Sequence, residues 1–339
     1  MITLIETAWE SELWRNELRR AIRSSHELLE YVGLDGPGDD VLQDLAGVEA
    51  DFPVLVPRSY ASRMTPNDPG DPLLRQVLAH REESLEAAGF THDALGETLS
   101  SAVAAPSLIK KYHGRALLIT TGGCAVHCRY CFRRHFPYQK HRPNAHDQAL
   151  EAVRADPSIA ELILSGGDPL LLDDERLNAL LQNIGAIAHI KRVRIHTRIP
   201  IVLPERITAR LLQALESCPV PVVMVIHANH ARELNGATER ALTALARAVR
   251  FLNNQAVLLH GVNDSLEAQI DLCESLFQQH VQPYYLHLPD RVAGTHHFFV
   301  DDARAVKIHK GMQASLPGYL VPKLAREIPG ETAKTMLAY

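Results

Sequence analysis

The stretch Ala116-Leu117-Leu118-Ile119-Thr120-Thr121-Gly122-Gly123-Cys124-Ala125-Val126-His127-Cys128-Arg129-Tyr130-Cys131 sets the reading of this chain. A short apolar run over 116–120 has the composition of a buried strand, and three cysteines follow it at C-x3-C-x2-C spacing. Three thiolates this close can hold a cuboidal 4Fe–4S cluster by three of its four irons, where four protein cysteines are the usual complement. The fourth iron is then open to a small molecule, as a cluster requires if it is to do chemistry rather than only pass electrons. Two bland readings compete: a zinc site with His127 or His135 as fourth ligand, or a chance grouping.

Working outward from the cysteines, apolar β-rich runs alternate with amphipathic stretches. Strands are expected over 116–120, 161–164, 192–196, 221–227, 255–260 and 283–288. Helices are expected over 145–155, 174–188, 205–216, 237–253, 265–279 and 301–315. This alternation means parallel βα units. Right-handed crossovers would curl six of them into an α/β fold, a partial TIM-like (βα)6 barrel. Chemistry in such barrels gathers at the C-terminal strand ends, where the cysteines lie. Residues 1–100 read as an N-terminal helical extension, with a helix over 9–31 and breakers at Gly36-Pro37-Gly38 and 66–72. Residues 101–339 read as the barrel with a C-terminal lysine-bearing segment.

Composition excludes several classes. The 339 residues are 46% hydrophobic and 22% charged, as in a soluble globular chain, and the net charge of −5 argues against a nucleic-acid-coating surface. No run of 18 apolar residues suggests a membrane span, and no signal peptide is apparent at the start. Five cysteines are too few, and an odd number, for a disulfide framework. Cys218 and Cys273 read as buried structural thiols in helix-like segments. An oxygen-sensitive cluster and free thiols suit a reducing cytoplasm.

Further residues gather around this motif. Ser165-Gly166-Gly167-Asp168-Pro169 ends the second strand, and two glycines there would let backbone approach a ligand closely. Beside a cluster with an open iron, that ligand would be the amino end of S-adenosylmethionine; otherwise the segment is a plain turn. Arg133 could clamp a carboxylate bidentately, or it and Arg134 could be a surface pair. Lys334, after Pro329-Gly330, could form a Schiff base with pyridoxal phosphate, although spacing alone reads as well as a solvated terminal lysine. Asp290 and Glu327 would attract a cationic substrate tail if both face the pocket. Among eighteen histidines, His196, His227 and His230 lie at or just past strand ends.

Together these segments resemble the lysine 2,3-aminomutase family of radical S-adenosylmethionine enzymes. The likeness runs from about Tyr112 to Lys334 and also takes in Arg198-Ile199-Pro200-Ile201-Val202-Leu203-Pro204, 254–264 and Pro283-Tyr284-Tyr285-Leu286. It implies metal ligands Cys124, Cys128 and Cys131, and S-adenosylmethionine contacts from Ser165 to Asp168 with Arg198, His227 and His230. It implies that Lys334 carries pyridoxal phosphate, held by Arg115 and Gln255. Arg133 would take the substrate carboxylate, and Asp290 with Glu327 the side-chain amine of L-lysine; Glu327 stands where the founding enzyme has aspartate. The chemistry implied is migration of the amino group from C2 to C3. Ser265 replaces a cysteine of the clostridial zinc site, and the cysteine-rich segment of that type does not follow Lys334 in this sequence. The short form resembles the bacterial branch making (R)-β-lysine for a ligase that modifies elongation factor P. A homo-oligomer is compatible with the resemblance, and no nucleic-acid or membrane partner is expected. The alternatives are a radical enzyme acting directly on RNA or protein without pyridoxal phosphate, or a non-catalytic iron–sulfur or zinc module.

Overall fold

The computed structural model describes residues 12–34, 39–99, 102–138 and 146–337, with backbone alone for 39–44. One ten-stranded sheet runs in simple chain order. Its strands are β1 (Val103–Ala105), β2 (Leu108–Tyr112), β3 (Arg115–Thr121), β4 (Glu161–Gly166), β5 (Arg192–Thr197), β6 (Val222–Ile226), β7 (Phe251–Val257), β8 (Gln282–His287), β9 (Lys323–Arg326) and β10 (Thr335–Met336). From β3 to β9 every neighbouring pair is parallel, and antiparallel pairs close both ends. Helices fill the crossovers between parallel strands, including His146–Ala155, Asp174–Gly185, Ala209–Glu216, Ala237–Ala248, Leu266–Gln278 and Asp302–Ser315. Strand order equal to chain order, with a helix at each crossover, is barrel topology. No pairing joins β1 to β10 among the described residues, so the barrel stays open.

A parallel strand covered on both faces should be apolar throughout. In β4, Glu-Leu-Ile-Leu-Ser-Gly, every residue is buried. β5 alternates instead: Val193, Ile195 and Thr197 are buried, while Arg194 and His196 turn toward the barrel lumen.

Three expected elements moved. The first expected helix breaks: 12–19 is helical, then Ile22 pairs with Val56 through N–H···O bonds of 2.8 and 3.0 Å, and a second helix spans Ser25–Tyr31. Residues 9–11 and the Gly36-Pro37-Gly38 breaker lie outside the described residues. The helix expected over 237–253 stops at Ala248, and β7 starts at Phe251 rather than at 255. Asn254 suggests a turn, yet its side chain belongs inside the sheet. Its Oδ1 accepts from Ala228 N (2.8 Å) and its Nδ2 donates to Ala228 O (3.0 Å). A buried amide fully paired this way costs little. The seventh parallel strand, β9, had no sequence signal.

Residues before 100 share the barrel's core. One buried cluster includes Trp14, Val54, Tyr60, Leu73 and Val77 together with Leu118, Leu162, Ile195 and Leu324. The amino-terminal segment also grips the cysteine loop. His127 N donates to Leu55 O (3.0 Å) and Arg129 N donates to Gln76 O (2.9 Å). Arg129 is wholly buried, paired to Glu83 and donating to Phe52 O at 2.7 Å. Among the described residues no helix is long and apolar enough to cross a membrane.

Candidate active site

A cavity of about 430 Å³ fills the barrel lumen, lined by residues from β2 through β10. Its wall follows the two-residue period of the strands: Ile163 and Ser165 on β4, Arg194 and His196 on β5, Gln255 and Val257 on β7, Tyr285 and His287 on β8. Cys124, Cys128 and Cys131 all line its upper end.

Two of the three thiols are held protonated by burial and by their neighbours. Burial, then the Cys131 and Asp168 charges, push Cys124 well above its ordinary value; burial and Cys128 push Cys131 up to about 11. Such thiols become thiolates only with compensating positive charge. Arg198 supplies some: it is buried, and its Nη1 donates to Cys128 Sγ at 2.6 Å. Its Nη2 is held by Glu233 Oε1 (2.9 Å) and Gln76 Oε1 (2.7 Å). Arg198 therefore braces a cysteine while also lining the cavity, and its Nε is buried with no partner. Among the described residues no three His, Cys, Asp or Glu side chains converge around one point as a single metal ion demands. His127 Nδ1 bonds Pro53 O (2.8 Å), and His135 Nε2 bonds Ala293 O (3.1 Å). Both histidines are thus engaged by backbone carbonyls, and the three cysteines remain as the sulfur donors at this end of the cavity.

The Ser165–Pro169 turn packs against the cysteine loop. A Cβ at Gly167 would sit 1.9 Å from Gly123 O, and Asp168 N donates to Gly123 O at 2.7 Å. Gly167 is needed for backbone-on-backbone contact, beyond any ligand approach. The Asp168 carboxylate is occupied: it accepts from Thr197 Oγ1 (2.7 Å), Arg198 N (2.8 Å), Leu170 N (3.1 Å) and Ile199 N (3.2 Å). Its work here is to fix the end of β5, and with it Arg198. Ser165 Oγ accepts from Arg133 Nη1 at 3.0 Å. His227 lines the cavity, with Nε2 2.9 Å from Tyr130 Oη. His230 does not: its ring caps the turn Ala231–Glu233, Nδ1 accepting from Arg232 N at 3.2 Å.

The lower cavity holds the charged residues. β10 pairs with β9, Thr335 opposite Arg326, so the 327–334 connection folds back on itself. That hairpin brings Lys334 Nζ to Glu327 Oε2 at 2.8 Å. Against the raising effect of burial, Lys334 and Lys111 draw Glu327 down to about 2. Asp290 lines the same cavity and makes no side-chain hydrogen bond among the described residues. Burial and the Glu327 charge raise it to about 7. Arg133 is buried, but its fork is engaged by Glu97 (Nε to Oε2 2.6 Å, Nη2 to Oε1 2.9 Å). The carboxylate that Arg133 grips in this structure is the protein's own.

Residues 118–273 match the Radical SAM superfamily. Over 330 residues the chain is 46% identical to the Escherichia coli (strain K12) L-lysine 2,3-aminomutase, covering 96% of this chain and 94% of that protein. The Haemophilus influenzae L-lysine 2,3-aminomutase is 42% identical, with 97% and 96% covered. The Clostridium subterminale L-lysine 2,3-aminomutase is 34% identical, covering 95% of this chain and 77% of that longer protein. The chain belongs to the lysine 2,3-aminomutase family.

Membership in a radical SAM family implies a 4Fe–4S cluster and S-adenosylmethionine, and the cysteine end of the cavity suits both. L-lysine, named in the relatives' activity, is charged at both ends, and this cavity is lined by Arg133, Asp290 and Glu327. Arg115 stacks on Tyr112 (4.6 Å) and has no carboxylate partner among the described residues, so its charge is available to a phosphate. Gln255 Nε2 lies 3.4 Å from His196 Nδ1, and His196 Nε2 is buried with no partner. That orphaned nitrogen fits a lumen that accommodates a polar group. Sequence reasoning did not select Glu97, Lys111, Arg194 or His287, which also line the cavity. The two-residue period in β5 and β8 could have found Arg194 and His287. No pattern marks Glu97, which sits on a loop.

Proposed function

We propose that this chain moves the α-amino group of L-lysine to C3, giving (R)-β-lysine, with a 4Fe–4S cluster on Cys124, Cys128 and Cys131, S-adenosylmethionine at its open iron, and pyridoxal phosphate on Lys334. One observation carries the reading. Lys334, its partner Glu327 and the unpartnered Asp290 stand in the same cavity as the three cysteines. When bound, these cofactors supply a 5′-deoxyadenosyl radical for hydrogen removal and an aromatic ring to carry the migrating nitrogen.

The protein's part is placement. Arg115 and Gln255 face the phosphate-bearing ring. Asp168 orients Arg198, which neutralises charge at Cys128. Arg133 takes the substrate carboxylate, and Asp290 with Glu327 takes the side-chain ammonium. Two ends held by opposite charges fix C3 along the line between them, and a displacement of about 1 Å could cost on the order of a hundredfold in rate. A second carboxylate in place of the ammonium would meet two acids, so glutamate is disfavoured.

The greater likeness to the Escherichia coli relative, 46% against 34% for the clostridial one, supports the short bacterial branch. On that reading the product passes, in the cytoplasm, to a ligase that modifies elongation factor P. The test is an anaerobic assay of reconstituted enzyme with L-lysine, resolving product chirality, beside Lys334→Ala. Wild type should form β-lysine and a borohydride-trappable pyridoxal adduct, and Lys334→Ala should form neither. An adduct that survives the substitution places the cofactor on another lysine. Cleavage of S-adenosylmethionine with no adduct in wild type points instead to a radical enzyme working without pyridoxal phosphate.

A further inference from the structure

Five charged side chains alternate in sign across the cavity: Lys334, Glu327, Lys111, Glu97, Arg133. Lys334 Nζ is 2.8 Å from Glu327 Oε2, and Lys111 Nζ is 2.5 Å from Glu327 Oε1. The same Lys111 Nζ is 3.9 Å from Glu97 Oε1. Glu97 in turn grips Arg133 at 2.6 and 2.9 Å. Glu97 stands apart from the sheet, on a loop turned by Asp93, whose carboxylate accepts from Glu97 N (2.9 Å) and Thr98 N (3.0 Å). Arg133 and Glu327, proposed for opposite ends of lysine, are thus both occupied by the protein itself, while Asp290 stands open. A carboxylate lies on Arg133, and ammonium groups lie on Glu327.

We propose that Glu97 is a positioning residue that stands in for the substrate α-carboxylate and leaves Arg133 when lysine binds. This deepens the function proposed above and rests on it. The released Glu97 moves onto Lys111, already 3.9 Å away, and Lys111 yields its place on Glu327 to the side-chain ammonium. The exchange leaves no buried charge without a partner, since Arg133 holds the substrate carboxylate, Glu97 holds Lys111 and Glu327 holds the ammonium. Leaving any one unpaired would be strongly unfavourable. Only a ligand with both charged ends completes the exchange. A diamine cannot displace Glu97, and a neutral-tailed amino acid cannot relieve Lys111. The device therefore selects for a molecule carrying both groups.

The test measures affinity as well as turnover on anaerobically reconstituted holoenzyme. Isothermal titration with L-lysine and with 1,5-diaminopentane compares wild type and Glu97→Gln. If the closed arrangement outweighs the open one by about ten to one, removing the internal competitor tightens lysine binding about tenfold. The diamine, having no carboxylate, should bind no more tightly. Glu97→Asp keeps the charge but is one methylene too short for the same two-point contact, so lysine binding should tighten by less. It also serves if the glutamine variant fails to fold. A Glu97 that merely supports Arg133 predicts the reverse, weaker lysine binding in both variants; that result, or equal tightening of both ligands, overturns the proposal. Wild type that binds neither lysine nor pyridoxal phosphate would instead remove the functional reading beneath it.

Discussion

At the residue scale, Asp290 shows a site kept at a cost. Its carboxyl holds a proton to about 7 in the folded chain, against 3.8 in the open one, chiefly because burial disfavours its charge. Between those values the folded state binds the extra proton, so the contribution of Asp290 to stability falls as pH rises from about 4 to about 7. Asp290→Asn removes that burden. The ligand-free variant should be more stable than wild type by roughly 4 kcal/mol at pH 8, with the difference vanishing toward pH 4. The same variant should lose lysine affinity at high pH, where wild-type Asp290 is charged and can meet an ammonium. Wild-type KM for lysine should accordingly rise as pH drops through about 7, and the variant's should not. Denaturation midpoints and KM across that range check both statements. The cysteines stood out in the sequence because their spacing carries unusual chemistry, whereas Lys334 and Asp290 were singled out through the family resemblance, since a lysine after a Pro-Gly turn and a lone loop acid are ambiguous by themselves. Glu97 and Lys111 were not, since a loop acid and a strand lysine are ordinary until the fold sets them against Arg133 and Glu327.

At the element scale, the meeting of β4 with the cysteine loop decides where Cys124 sits. Gly166 and Gly167 leave room for backbone atoms of Thr121 and Gly123, with Gly167 N donating to Thr121 O at 2.7 Å. A methyl at 167 cannot coexist with Gly123 O at 1.9 Å, and what it meets is backbone, which has no rotamer to change. Gly167→Ala should force the 121–124 segment away and lower iron content after reconstitution to a small fraction of wild type. Far-ultraviolet circular dichroism should stay near wild type, because the remaining strand pairings are untouched. Full iron loading in the variant would show that the loop can shift without losing its cysteine. The sequence announced this turn by its glycines, and the structure shows that they also admit the chain's own backbone. Elements were hardest to read where polar residues are paired inside the sheet, as at Asn254, or where a strand is as short as Lys323–Arg326. In both, the signal is supplied by neighbours distant in sequence, which periodicity does not contain.

At the scale of the whole molecule, the segment before residue 100 and the barrel meet at Gln76. This side chain is wholly buried, and its Oε1 accepts from Arg198 Nη2 (2.7 Å), Asn229 Nδ2 (3.0 Å) and Tyr130 Oη (3.4 Å). It therefore joins the loops after β3, β5 and β6 through one oxygen, and Arg198 extends the link to Cys128. Gln76→Leu keeps the volume and removes that acceptor. Asn229 Nδ2 is left without this partner, at a cost of about 1–3 kcal/mol, and Arg198 Nη2 keeps Glu233 at 2.9 Å and the longer contact to Tyr60 Oη at 3.4 Å. The charge at Cys128 is then less well fixed. The expected outcome is a lower melting temperature together with faster iron loss to a chelator under anaerobic conditions. Pyridoxal incorporation at Lys334 should be retained, because Lys334 is tied to the opposite edge of the sheet through β9 and β10. If iron release is unchanged while stability falls, Gln76 supports the fold alone and the amino-terminal segment has no hold on the cluster; if pyridoxal is lost as well, the two ends of the cavity are coupled more tightly than these contacts imply.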